Sequence, residues 1–354
     1  MSLDLIKNEV IELLVNLIKT PSFSGEENLT AEIIISFLSK HKINVNRKNN
    51  NIWCKNKYYN ENKKTILLNS HHDTVKPGKS WAYDPFGATI EGDKLTGLGS
   101  NDAGASAISL LATFLYFENN KDLPFNLIYS ITAEEENSGP NNVGEIIDEL
   151  GKIDLAIVGE PTKMDMAIAE RGLVVLDCVV KGKTGHAARN EGENAIYNAL
   201  PVIKWFQTFT FEKASDMLGP VKMTITQINA GKQHNVVPDE CNLVVDVRVN
   251  ELYTNQEVAD IIKSNLNCEV NPRSFRLNSS YISINHPIVN KGKEIGLSTY
   301  GSPTLSDQCM MPFESIKIGP GDSARSHTPD EYIFLSEIKN GIDVYINLLQ
   351  DLVL

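Results

Sequence analysis

The sequence predicts an α/β protein: a mostly parallel sheet flanked by helices, with an inserted ferredoxin-like β-α-β-β-α-β domain. Three observations lead there. Short runs rich in Ile, Val and Leu alternate with helical patterns, as crossovers onto a parallel sheet require. From Gly172 to Ile282 the order of elements changes to that of a split β-α-β unit. After it the alternation resumes, so the expected division is a discontinuous core, 1–170 and 284–354, around an insertion at 171–283.

Leu5, Ile6, Val10, Leu13, Leu14 and Leu17 recur at three-to-four spacing, predicting a helix to Ile18 that stops before Pro21. A second helix fits Asn28 to Ser39. Core strands are expected at Thr65–Asn69, Phe125–Ile131, Leu155–Val158 and Ile316–Ile318, and a helix begins after Gly104. In the insertion the expected strands are Leu173–Lys181, Val221–Ala230, Cys241–Val249 and Ser274–Ile282. Its helices are Asn194–Phe209 and Asn255–Leu266. Helix His286–Leu297, a strand and the terminal helix Leu335–Leu352 complete the core.

Composition removes several function classes. Forty-five Asp and Glu against 33 Lys and Arg leave a formal charge of −12, which offers nothing to phosphate backbones or anionic lipid. Neither a nucleic acid nor a membrane is an expected partner. The longest nearly apolar run, Ala107 to Phe117, is too short for a bilayer, and no charged-then-apolar leader opens the chain, so a cytoplasmic protein is expected. The five cysteines lack C-x-x-C spacing and read as buried thiols, and no G-x-S-x-G elbow suggests a serine hydrolase.

The residues just past each core strand matter more. The first strand runs into His71-His72-Asp73, the second into Glu134-Glu135-Glu136, the third into Glu160, and the fourth leads towards His327. Ligands bind beyond the carboxyl ends of strands in open α/β sheets, so these distant residues can converge. His71 and Asp73 point to one side of an extended chain, and His72 to the other. Asp102, at a glycine-rich helix start, is either a capping aspartate or a carboxylate able to bridge two cations. Three consecutive glutamates repel one another unless a cation or solvent offsets the charge, and the triplet leaves open which of them act. Two histidines with several carboxylates and no thiolate suit an open site for one or two divalent ions, zinc above all.

With these residues assembled, the chain resembles the dinuclear zinc amidohydrolase family that contains acetylornithine deacetylase, succinyl-diaminopimelate desuccinylase and related metallopeptidases. The motifs that carry the likeness are Ser70-His71-His72-Asp73-Thr74-Val75, Gly97-x-Gly99-Ser100-x-Asp102, Ala133-Glu134-Glu135-Glu136, Val158-Gly159-Glu160-Pro161-Thr162, Asn235-Val236-Val237-Pro238-Asp239 with Asp246-Val247-Arg248, and His327-Thr328-Pro329-Asp330-Glu331-Tyr332. The resemblance implies a zinc-peptidase-like core whose insertion serves as lid and dimerisation domain. It implies two zinc ions per subunit, with cobalt(II) as a substitute. His71 and Glu160 would ligate the first, Glu136 and His327 the second, and Asp102 both. Asp73 would orient His71, and Glu135 would be the general base. His186 would reach the site of the other subunit in a homodimer. Asn235 and Arg248 match substrate-contacting positions, with Arg171 and Arg325 as further candidates. Ser70, His72, Glu134 and Asp102-Ala103-Gly104 depart from the usual family residues without removing a ligand.

The implied reaction is hydrolysis of an N-acyl amino acid. The loop Gly319-Pro320-Gly321-Asp322-Ser323 suggests N-acetyl-L-ornithine as substrate, hence arginine biosynthesis. The alternatives are acyl-citrulline or succinyl-ornithine deacylation, succinyl-diaminopimelate desuccinylation, and dipeptidase or carboxypeptidase activity. The non-enzyme alternative is an inert scaffold on this fold, against which stands the full set of ligands and base.

Overall fold

A computed structural model of the chain describes residues 2–189 and 191–354. Its contacts divide it into two compact units, Met1–Ile168 with Tyr281–Tyr300 and Ser306–Leu354, and Ala169–Ser280 with Gly301–Leu305. The strip Gly301–Leu305 thus groups with the second unit, whereas the sequence assigned all of 284–354 to the core. Short segments with few core residues of their own carry no periodicity to show which core they join.

In the first unit the central sheet runs in the order Asn46–Lys48, Asn51–Lys55, Asn126–Thr132, Thr65–His71, Leu155–Val158, Ser315–Lys317 and Met166–Glu170. Its middle is parallel: Thr65–His71 lies between Asn126–Thr132 and Leu155–Val158, and Leu155–Val158 pairs Ser315–Lys317. The flanking pairs are antiparallel. Thr65–His71 and Asn126–Thr132 are buried along their whole length, as strands covered on both faces must be. Helices Leu3–Ile18, Ala105–Phe117 and Leu335–Leu349 pack together, and Ala105–Phe117 is buried almost all round. Another apolar cluster sets Leu67, Ile128, Ala156 and Val158 against Val143, Ile146 and Leu150.

The second unit holds a four-stranded antiparallel sheet in the order Lys222–Ala230, Glu240–Val249, Gly172–Lys181 and Glu269–Pro272. Gly172–Lys181 alternates buried and half-buried residues, and its inner face joins helices Ala195–Thr208 and Asn255–Asn265 in one core. The ferredoxin-like order stands, but its last strand is Glu269–Pro272 rather than Ser274–Ile282. Glu269, Asn271 and Pro272 look unlike a strand, yet this short segment pairs with residues 176–179. All five cysteines are free, four of them buried. No helix among the described residues is long and apolar enough to cross a membrane.

Candidate metal centre

Parallel pairing brings the strand ends into line. His71 pairs with Thr132 and Asn69 with Val158, so the loops carrying Asp73, the three glutamates and Glu160 leave the sheet side by side. Gly319 lets the loop after Ser315–Lys317 pass close to Glu160. A Cβ there would lie 2.5 Å from the Glu160 carbonyl and 2.3 Å from Ser106 Oγ. Asp102 stands in a turn, Ser100–Gly104, ahead of helix Ala105–Phe117, whose N-cap is Gly104. Its carboxylate therefore does not cap the helix.

These elements bring five sequence-predicted ligands together. Nε2 of His71 lies 3.5 Å from Asp102 Oδ1 and 3.9 Å from both Glu160 Oε1 and Glu135 Oε2. Nε2 of His327 lies 2.8 Å from Glu136 Oε2 and 3.6 Å from Asp102 Oδ2. Asp102 thus turns one oxygen to each histidine. Two overlapping triads, His71 with Asp102 and Glu136 and His71 with Glu135 and Glu160, each hold their ligand atoms within 4.8 Å of one another. His71 Nε2 is buried without a hydrogen-bond partner. A buried, unpaired imidazole nitrogen ringed by carboxylates fits a divalent cation.

Asp73 organises both sides of this centre. Its carbonyl oxygen lies 3.1 Å from His71 Nδ1 and its Oδ1 3.3 Å away, so with Nδ1 as donor Nε2 presents a lone pair to the carboxylates. Its two carboxylate oxygens also accept from the Glu135 and Glu136 amides at 3.1 Å, and Ser24 Oγ donates to Oδ2 at 2.7 Å. The buried imidazoles and carboxylates shift one another strongly. Burial would hold His71 neutral, but the nearby carboxylates of Asp102 and Asp73 raise its pKa well above the ordinary range. Burial, reinforced by neighbouring carboxylates, lifts Glu135 and Glu160 well above theirs against the pull of His71. The hydrogen bond to Glu136 raises His327 to about 9.

The register of the triplet is visible. Glu134 sits at φ 53°, and its carboxylate turns back to accept from the Asn141 backbone and side-chain amides at 3.0 and 2.7 Å. It closes its own loop, leaving Glu135 and Glu136 to the centre. His72 faces away, between Thr30 Oγ1 at 2.9 Å and the Asn50 carbonyl at 3.0 Å. Two acids that sequence reasoning passed over also lie here. Glu331 receives three backbone amides of the Asp102 loop. Asp307 is buried beneath Asn69 and Thr132, at 2.7 and 2.6 Å. Glu331 stands in a motif already quoted, but nothing in the sequence marks Asp307.

The arginine candidates look different. Arg325 is held by both oxygens of Glu337, at 2.7 and 3.1 Å, with its guanidinium over the ring of Tyr332. That pairing holds the guanidinium against its own segment. Arg171 donates to the carbonyls of Leu218 and Pro220, and so staples the end of its own sheet. Arg248 is half-buried and forms a two-pronged bond with Asp246. His186 is exposed and faces Val236 in a β-bridge, while the Asn235 carbonyl accepts from Ala187 N at 3.1 Å. Arg248 pairs with Leu173 and Glu240 with Lys181, eight positions along the strand. At ~3.4 Å per residue, the end carrying His186 and Asn235 lies about 27 Å from the end carrying Arg248. One small substrate cannot touch both ends of a single chain.

The comparisons with known proteins agree with this geometry. A family model described as peptidase family M20/M25/M40 matches residues 67–351. The chain is 27% identical to a succinyl-diaminopimelate desuccinylase of Orientia tsutsugamushi, over 97% of this chain and 96% of that one. It is 30% identical to another of that name from Wigglesworthia glossinidia brevipalpis, over 68% of each. Among solved structures it resembles the aminopeptidase PepT of Bacillus cereus, with a TM-score of 0.76 at 15% identity, over 97% of this chain and 98% of that one. It also resembles a dinuclear metal-binding peptidase of Bacillus subtilis, with a TM-score of 0.74 at 15% identity over 98% of each. The expectation of acetylornithine, and with it arginine biosynthesis, is not supported: these curated relatives carry the desuccinylase name.

Proposed function

This chain belongs to peptidase family M20/M25/M40 and is a metal-dependent hydrolase, and on that premise we propose that it removes a succinyl group from succinyl-diaminopimelate by amide hydrolysis. The curated relatives support that substrate. Two zinc ions are proposed as the resident metals, replaceable by cobalt(II). The observation that carries the reading is the buried, partnerless Nε2 of His71 beside three carboxylates.

His71 and Glu160 would hold one ion, Glu136 and His327 the other, with Asp102 between them. The ions would lower the pKa of a bound water towards about 7 and polarise the acyl carbonyl. Glu135 would accept a proton from the attacking water at its carboxylate and return it to the departing amine. Asp73 would keep His71 in the tautomer that presents Nε2, and would fix the Glu135 backbone at the same time.

A homodimer belongs to this proposal. The gap of about 27 Å between the two ends of the second unit's sheet is bridged if Arg248 of one subunit and His186 with Asn235 of the other serve the same substrate. The edge strand Lys222–Ala230 is largely exposed, as are Tyr197, Leu200 and Ile228, which supplies an apolar, unpaired border for a second copy. A cytoplasmic setting suits five free thiols.

The test is a panel of purified, zinc-loaded protein against succinyl-diaminopimelate, N-acetyl-L-ornithine, succinyl-ornithine, both acyl-citrullines and several dipeptides. Fastest turnover of the first supports the reading. A preference for dipeptides would replace it with peptidase activity, which the names of the solved relatives suggest.

A further inference from the structure

Glu331 lies four residues beyond His327, is 2% exposed, and has no role in the chemistry above. Its partners are backbone amides. Oε1 accepts from Asn101 N at 2.8 Å and Asp102 N at 2.9 Å, and Oε2 accepts from Gly99 N at 3.2 Å. Its own carbonyl accepts from Gly97 N at 2.9 Å. Four amides of the segment that presents Asp102 therefore end on one residue. A buried carboxylate is costly unless such bonds satisfy it, and no neutral side chain offers two acceptor oxygens to three donors.

The same short stretch of chain carries His327, which sits in the left-handed region at φ 59°. A second tie joins the two segments: Asn101 accepts from Asp322 N at 3.0 Å and donates to its carbonyl at 3.1 Å. Two segments far apart in sequence are thus clasped on both sides of His327 and immediately ahead of and at Asp102. We infer that Glu331 is the positioning residue that sets the spacing of Asp102 and His327, and so assembles the cation site those two share with Glu136. His71 and Glu160 enter from the sheet and do not depend on this clasp. The inference rests on the two-cation reading.

The experiment titrates metal-free protein with cobalt(II) alone and follows visible absorption, with thermal melting beside it, for wild type, Glu331→Gln and Glu331→Ala. Gln keeps an oxygen for two of the amides but turns its NH2 towards the third, so a graded response is expected. The second cobalt should bind Glu331→Gln about 10–100-fold more weakly than wild type, and the first, which shares Asp102 but keeps His71 and Glu160, with a clearly smaller loss; Glu331→Ala should lose more of both. Should Glu331→Ala not fold, Glu331→Gln decides. Two cobalt ions bound to Glu331→Gln at wild-type affinity, or equal weakening of both, would overturn the inference. Fewer than two ions on the wild-type chain would instead overturn the two-cation reading and take this inference with it.

Discussion

His72 gives the sharpest quantitative expectation because its imidazole has been turned away from the metal centre into the protein. Strand alternation directs it between Thr30 and Asn50, where it is 7% exposed. Burial, with His71 next to it, lowers its pKa from 6.5 to about 4. Above pH 6.5 the ring is neutral in both folded and unfolded chains, and its contribution is complete. Between pH 6.5 and 4 the unfolded chain takes up a proton that the folded one refuses, so stability falls as pH falls. A gap of about 2.5 units at 1.36 kcal/mol each amounts to about 3 kcal/mol. Urea unfolding of wild type and His72→Gln at intervals from about pH 7 to 4 isolates this contribution, since every other titrating group is common to both. The wild-type curve should lose about 3 kcal/mol more than the variant across that window. Parallel curves would refute the argument, whatever the absolute stability of His72→Gln.

The triplet yields a paired prediction. Glu135→Gln should lower kcat by about 10²–10⁴ with zinc content unchanged, whereas Glu134→Ala should cost about 1–3 kcal/mol of stability and leave the metal ions in place. Turnover, elemental zinc analysis and thermal melting read both, and a slow, stable Glu134→Ala would reverse the roles. The shared-site dimer predicts complementation: His186→Ala and Glu135→Gln, each inactive, should recover about a quarter of wild-type activity when their subunits are mixed and exchanged. No recovery in a verified mixed dimer would exclude a site built from two chains.

The legible parts of the sequence were those where periodicity or local order carries the signal. Buried strands ending in His71, Glu135 and Glu160 announce themselves because apolar runs stop abruptly at polar residues. The alternation in Gly172–Lys181 likewise fixes its inner face. Glu269–Pro272 escaped because four residues with a proline carry too little pattern. The partners of the arginines were not legible for another reason. A guanidinium's partner is set by tertiary contacts, and neither Glu337 for Arg325 nor the Leu218 carbonyl for Arg171 is signalled by spacing. Asp307 was invisible on the same ground, since its partners Asn69 and Thr132 lie far away in the chain.

Asp73 grips two successive backbone amides, and the side chains that leave from them have separate destinations. Adding or deleting a single residue between Ala133 and Glu136 would therefore slide every acid in this bend by one station, exchanging a proton carrier for a ligand or a loop fastener for either. Such a bend tolerates changes of residue far better than changes of length, and libraries aimed at new substrates should keep its count fixed.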